Sequence, residues 1–78
     1  MNQEFEYLVG QNIRRYRELR GLTQERLSAQ LQTRGCDITR SALAKMEVGQ
    51  RHIYLDELRL LKELLQVSYD DLFSQDDL

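Results

Sequence analysis

The sequence predicts an all-α fold of five helices. Apolar residues recur at three- and four-residue steps, proline is absent from the 78 residues, and β-branched and aromatic residues never alternate with polar ones for long, as a half-buried strand would require. Since domains mostly run to roughly 100–150 residues, the expected organisation is one domain over residues 1–78.

Each helix has its own pattern and punctuation. Phe5, Leu8, Val9, Ile13, Tyr16 and Leu19 make an amphipathic stripe over about 4–20, closed by Gly21, with Arg17 and Arg20 near the negative end of the helix dipole. Gly10 weakens the first half of this helix by about 1 kcal/mol relative to alanine if that part is exposed. Thr23 caps a second helix, about 23–34, with Glu25 in its first turn and Leu27 and Leu31 facing the core; small Ser28 between them admits a close neighbour. Gly35 ends it and Cys36 folds back onto apolar surface. Thr39 caps a third helix, about 39–48, buried through Leu43 and Met46 and stopped by Gly49. Leu55, Leu58, Leu61 and Leu65 mark a fourth, about 55–66, too short for a zipper. Ser68 and Asp71 form a capping-box pattern for a fifth, about 68–73, and Ser74 to Leu78 are polar enough to fray.

Composition narrows the function classes. One cysteine (Cys36) and one histidine (His52) supply neither a zinc cage nor a Cys-His pair, so no metal, no cofactor and no enzymatic activity are expected. A single cysteine makes no intrachain disulfide, and no apolar run approaches the ~20 residues needed to cross a bilayer. The expected location is the cytoplasm, with no membrane partner. The net charge of −2 disfavours a polyanion partner only until it is mapped. Between Asn12 and Arg51 nine bases face four acids, a balance of +5, whereas residues 1–11 carry −2 and residues 52–78 carry −5. A basic face and an acidic end are the reading, and the local field governs attraction to phosphates.

The basic segment contains two short helices joined by a connection, the second with a polar, basic face. A B-form major groove accepts one such helix, whose N-terminal residues reach base edges while the preceding helix crosses the phosphates. Arg40 and Lys45 suit guanine O6 and N7, Ser41 donates or accepts, and Ala42 suits a thymine methyl. Thr23 and Gln24 place a helix N-terminus and an amide on a phosphate, Thr39 does the same for the next helix, and Gln50, Arg51 and His52 follow as a phosphate clamp.

The runs Ile13-Arg14-Arg15-Tyr16-Arg17, Gly21-Leu22-Thr23-Gln24-Glu25-Arg26-Leu27 and Ile38 through Arg51 resemble the helix-turn-helix family of phage repressors, Cro and related regulators. The resemblance covers about Leu8 to Phe73. It implies a five-helix, lambda-repressor-like DNA-binding domain with the motif in helices 2 and 3, Gln24 and the start of helix 3 at the DNA, and the following loop on the backbone. It also implies an ion pair between Arg17 and Glu47. Two departures stand out: an enlarged turn from Gln32 to Asp37, whose Arg34 is either a phosphate contact or a solvated charge, and Val48 where the family often has asparagine.

The expected function is a sequence-specific transcriptional regulator, a repressor, reading a two-fold operator in double-stranded DNA as a homodimer. One recognition helix reads few bases, and paired half-sites about 34 Å apart supply the rest. Two dimer surfaces compete: Tyr69, Leu72, Phe73 and Leu78 at one end of the chain, Phe5 and Tyr7 at the other. The alternative stays open that the scaffold is a protein-interaction module, or an antitoxin-type partner that also binds DNA. Acids such as Asp70, Asp71, Asp76 and Asp77 keep the tail soluble and away from DNA.

Overall fold

Helix ends leave carbonyls without partners, and in this protein the first helix and the residue just after it satisfy those of three others. The computed structural model describes residues 3–75; the tail residues Asp76, Asp77 and Leu78 lie outside them. Five helices follow in order: α1 (Gln3–Leu19), α2 (Gln24–Thr33), α3 (Arg40–Glu47), α4 (Leu55–Leu65) and α5 (Tyr69–Phe73). No strand occurs among the described residues. Ile13, Leu27, Leu31, Ile38, Leu43, Met46, Leu61, Leu65 and Leu72 are fully enclosed, each contributing about 1.5–3 kcal/mol of hydrophobic stabilisation.

Val9 and Ile13 of the α1 stripe are buried in this core and Tyr16 packs against it, whereas Phe5 and Leu19 at its ends are exposed; polar side chains of α1, and of Arg20 just after it, cap the neighbours. Gln11 Nε2 donates to the Glu47 carbonyl of α3 at 2.7 Å. Asn12 Nδ2 donates to the Leu72 and Ser74 carbonyls of α5 at 2.7 and 2.9 Å. Arg20 donates to the Leu65 and Gln66 carbonyls that close α4, at 2.8 and 3.0 Å. An amide or guanidinium is well placed at a helix C-terminus, where the dipole is negative. Arg20 therefore serves the end of α4, where the sequence suggested its own helix.

Gly10 has a different role from the one its exposure would have given it. It is buried, and a Cβ there would overlap the Met46 carbonyl oxygen and lie 3.0 Å from that of Glu47. The missing side chain lets α1 touch the C-terminal backbone of α3. What periodicity reads as a weak spot in a helix is the contact that seats α3.

The enlarged connection between α2 and α3 is tied down at both ends. Gly35 takes φ +83°, and the amides of Gly35 and Cys36 close back on the carbonyls of Gln32 and Leu31 at 3.0 and 2.9 Å, the left-handed helix stop for which glycine is suited. Ile38 then turns fully inward. Its carbonyl accepts from Ser28 Oγ at 2.7 Å and from Gln32 Nε2 at 3.2 Å. Ser28 thus satisfies the turn as well as leaving room for it. Arg34 pairs with Glu63 of α4 at 3.0 Å, so the solvated charge of the turn is tethered across to another helix.

Candidate nucleic-acid interface

The helices α2 and α3 are held at a fixed mutual angle by one buried carboxylate. Glu47, at the end of α3, accepts from Arg17 Nε at 2.7 Å and Nη2 at 3.0 Å, and from Gln24 Nε2 at 3.0 Å. The Arg17 and Glu47 side chains are only 9% and 2% exposed. Arg17 also donates to the Leu22 carbonyl at 2.9 Å, just ahead of α2. A charge that deep is tolerated because both carboxylate oxygens are hydrogen-bonded, and the bidentate fork fixes orientation as well as distance. Glu47 thereby ties together α1, the start of α2 and the end of α3.

Both motif helices begin on a threonine cap. Thr23 Oγ1 accepts from the Arg26 amide and Thr39 Oγ1 from the Ala42 amide, each at 3.1 Å. Each hydroxyl is used as an acceptor and keeps its proton to donate outward. Both threonines are exposed, so each helix start offers O–H and N–H donors together, the arrangement that suits a phosphate.

The outer face of α3 is uncommitted. Arg40, Ser41 and Lys45 are exposed and Ala42 half-buried, and no hydrogen bond or ion pair among the described residues engages the side chains of Arg40, Ser41 or Lys45. Burial of Leu43, Met46 and Glu47 on the opposite side turns these residues outward together. Gln24, at the start of α2, spends one amide hydrogen on Glu47 and keeps its carbonyl and a second hydrogen.

The loop after α3 is built differently. Gln50 is exposed, and its amide closes on the Lys45 carbonyl at 2.8 Å. Arg51 makes a two-pronged contact with Glu57 of α4 at 2.8 and 2.9 Å, donates to the His52 carbonyl at 2.9 Å, and lies 5.8 Å over the Tyr54 ring. The Arg51 guanidinium, first, and the Tyr54 amide hold the Glu57 carboxyl below its ordinary range against the opposing effect of burial. His52 Nδ1 lies 2.8 Å from Oε1 of buried Glu6; a carboxylate only accepts, so this nitrogen carries the proton. Of the three residues read as a phosphate clamp, Gln50 alone projects freely. Arg51 and His52 fasten the loop to α4 and α1.

Sequence reasoning missed the cross-helix roles of four residues: Gly10 and Gln11, which seat α3, and Asn12 and Arg20, which cap the ends of α5 and α4. Their signal was faint, a glycine and a few polar positions on one helix. Arg26 is exposed in the first turn of α2, and only its place beside a capping threonine hinted at it. Cys36 packs against the core, and burial, then the nearby Glu57 and Asp56 carboxylates, push its thiol pKa up, which keeps it a thiol at neutral pH. Among the described residues no three His, Cys, Asp or Glu side chains gather as a metal site, and no helix is long and apolar enough to cross a membrane.

No curated protein and no solved structure matches the chain. A family model described as helix-turn-helix matches residues 13–72, a span that includes both motif helices and the whole of α4. With five helices, the motif in α2 and α3, and an outward basic face on α3, the chain belongs to the helix-turn-helix family of phage-repressor- and Cro-like DNA-binding transcriptional regulators.

Proposed function

We propose that this protein is a sequence-specific repressor that acts as a homodimer in the cytoplasm, each copy placing α3 in the major groove of one half of a two-fold operator. The observation that carries the reading is the free outer face of α3. Arg40, Ser41 and Lys45 have no partner among the described residues, and an exposed basic face of that kind on a helix of eight residues suits base edges and phosphates. Arg40 and Lys45 donate to guanine, Ser41 donates to or accepts from a base edge, and Ala42 meets a thymine methyl. Thr23, Gln24 and Thr39 hold the flanking phosphates through hydroxyl and amide protons, joined by Gln50 after α3. Arg51 and His52 act on DNA by holding that loop in place. Arg17 and Glu47 set the angle at which α3 is presented. A bound dimer blocks access to the DNA it covers, and repression follows from occupancy.

Selection of bound duplexes from a random pool tests this reading, with a palindromic consensus expected. Against the selected duplex, Arg40→Ala and Lys45→Ala should each cost about 1–3 kcal/mol of discrimination, while thermal stability stays within about 0.5 kcal/mol because neither side chain supports the fold. Unchanged affinity in both variants would overturn the assignment of α3 as the reading helix. The alternative of an interaction module would gain if carboxylates covered this face, and none of the described acids pairs with Arg40 or Lys45.

A further inference from the structure

His52 is the one histidine of the chain, and the fold fastens one of its ring nitrogens while leaving the other open. Nδ1 lies 2.8 and 2.9 Å from the two carboxylate oxygens of Glu6. The Glu6 side chain is 9% exposed and that of His52 56%. The carboxylate sits in the first turn of α1, where the helix dipole favours a negative charge. No contact among the described residues engages Nε2. The ring lines an open cleft of about 610 Å³ with Gln3 and Glu6 of α1 and with Gly49, Gln50, Arg51 and Tyr54 of the segment after α3. That cleft begins directly behind α3, because the Gln50 amide closes on the Lys45 carbonyl at 2.8 Å.

Given the DNA reading above, on which this rests, we infer that Nε2 of His52 takes a backbone phosphate in this cleft beside Gln50, and that binding there is coupled to the uptake of one proton. A neutral imidazole has one N–H and one lone pair. With Glu6 accepting from Nδ1–H, the lone pair of the neutral ring is on Nε2 and repels a phosphate oxygen. A proton taken from solvent onto Nε2 makes that nitrogen a donor and sets a positive ring between two anions, buried Glu6 and the phosphate. Each anion favours the charged form, so phosphate and proton promote one another's binding by the same factor. The neighbouring groups do not supply this contact in its place. The Arg51 guanidinium is engaged by Glu57 of α4 at 2.8 and 2.9 Å, a phenol such as that of Tyr54 is neutral over the range in which imidazoles titrate, and Gln3, Gly49 and Gln50 carry no charge. Imidazole is the side chain whose ordinary titration falls between about pH 5 and 8. A phosphate contact built on it is therefore graded by pH, where one built on lysine or arginine is constant.

The test is binding of the full chain to the selected duplex between about pH 6 and 8, at several salt concentrations. Affinity should fall about tenfold as pH rises across this range. The salt slope should be steeper by about one unit at pH 6 than at pH 8, because the charged ring neutralises one more phosphate. His52→Gln keeps an amide to donate to Glu6 and should lose both dependences. Arg40→Ala should bind more weakly at every pH and keep them. Nuclear magnetic resonance of the single imidazole gives a second measurement, with both ring nitrogens expected to stay protonated to higher pH in the complex than in the free protein. Affinity that is flat in pH, or a pH dependence that survives His52→Gln, overturns the inference and leaves the DNA reading standing. So does a salt slope indifferent to pH, which would confine His52 to fastening the loop. Absence of binding to any duplex at any of these pH values overturns both.

Discussion

Helix α3 and the loop that follows it carry similar side chains and treat them in opposite ways. Arg40 and Lys45 on α3 are exposed and have no partner among the described residues, whereas Arg51 and His52, a few residues on, are paired with Glu57 and Glu6. Basic composition alone does not distinguish them. The difference comes from what the fold places opposite each residue. The outer side of α3 faces no other helix, while the loop passes the start of α4 and the first turns of α1, where acidic residues favoured by the helix N-termini are waiting. A cation available for DNA is therefore one that the tertiary structure has left alone.

The largest expected effect lies beneath that surface. Glu47→Ala removes the acceptor of Arg17 and leaves a guanidinium 9% exposed without its partner, at a cost of about 3–5 kcal/mol. At about 4–8 °C per kcal/mol for a domain of this size, the melting temperature should fall by at least about 12 °C. A fall of a few degrees would show the pair to be solvated and would remove the contrast between committed and free charges. This variant is expected to lose DNA binding through the fold, unlike Arg40→Ala.

Gly10→Ala sharpens the comparison from the side of α1, because it asks what seats the exposed helix. An exposed helical glycine gains about 1 kcal/mol on replacement by alanine. Here the new methyl meets the Met46 carbonyl oxygen of α3, backbone that has little room to give, and a loss of about 1–3 kcal/mol is expected. Chemical denaturation settles the sign, and a stabilised variant would mean that α1 and α3 are not in backbone contact.

The smallest effect is at the loop. Arg51→Ala should cost about 1 kcal/mol, since the pair with Glu57 is two-pronged but partly open to solvent. It should leave the salt dependence of DNA binding within about half a unit of slope, where a free phosphate contact would remove about one. The pair also has a pH signature. The Glu57 carboxyl is held below its ordinary range, first by Arg51. Its contribution is thus complete above the ordinary glutamate pKa and is lost as pH falls from there through the lower folded value. The wild type should lose stability faster than Arg51→Ala below about pH 4, and parallel acid denaturation curves would count against the pair.

Much of the architecture was legible because local rules agreed. Thr23, Thr39 and Ser68 cap the helices they were expected to cap, and Leu58, Leu61 and Leu65 of α4 face inward as their spacing demands, whereas Leu55, expected in the same stripe, sits in the first turn and is 83% exposed. The outward face of Arg40 to Lys45 followed from the same periodicity, since burying Leu43 and Met46 leaves one side for solvent. Long-range facts were not legible. Nothing near Gly10 in sequence reports Met46, 36 positions on, and nothing near Arg20 reports the open carbonyls of Leu65 and Gln66.

Sequence by itself determined the number and order of the helices, the segregation of charge into a basic middle and acidic flanks, and the motif on α2 and α3. These depend on period, caps and composition, which act within a few residues. Tertiary structure decided which cations are free and which are fastened, that Gly10 is a contact point, and that the Phe5 and Phe73 ring centres lie 5.5 Å apart while Leu72, expected in an exposed patch, is core. Such outcomes depend on which helix ends and faces meet across the fold, and a hydrogen bond or a methyl-sized clearance is settled at distances of a few ångströms.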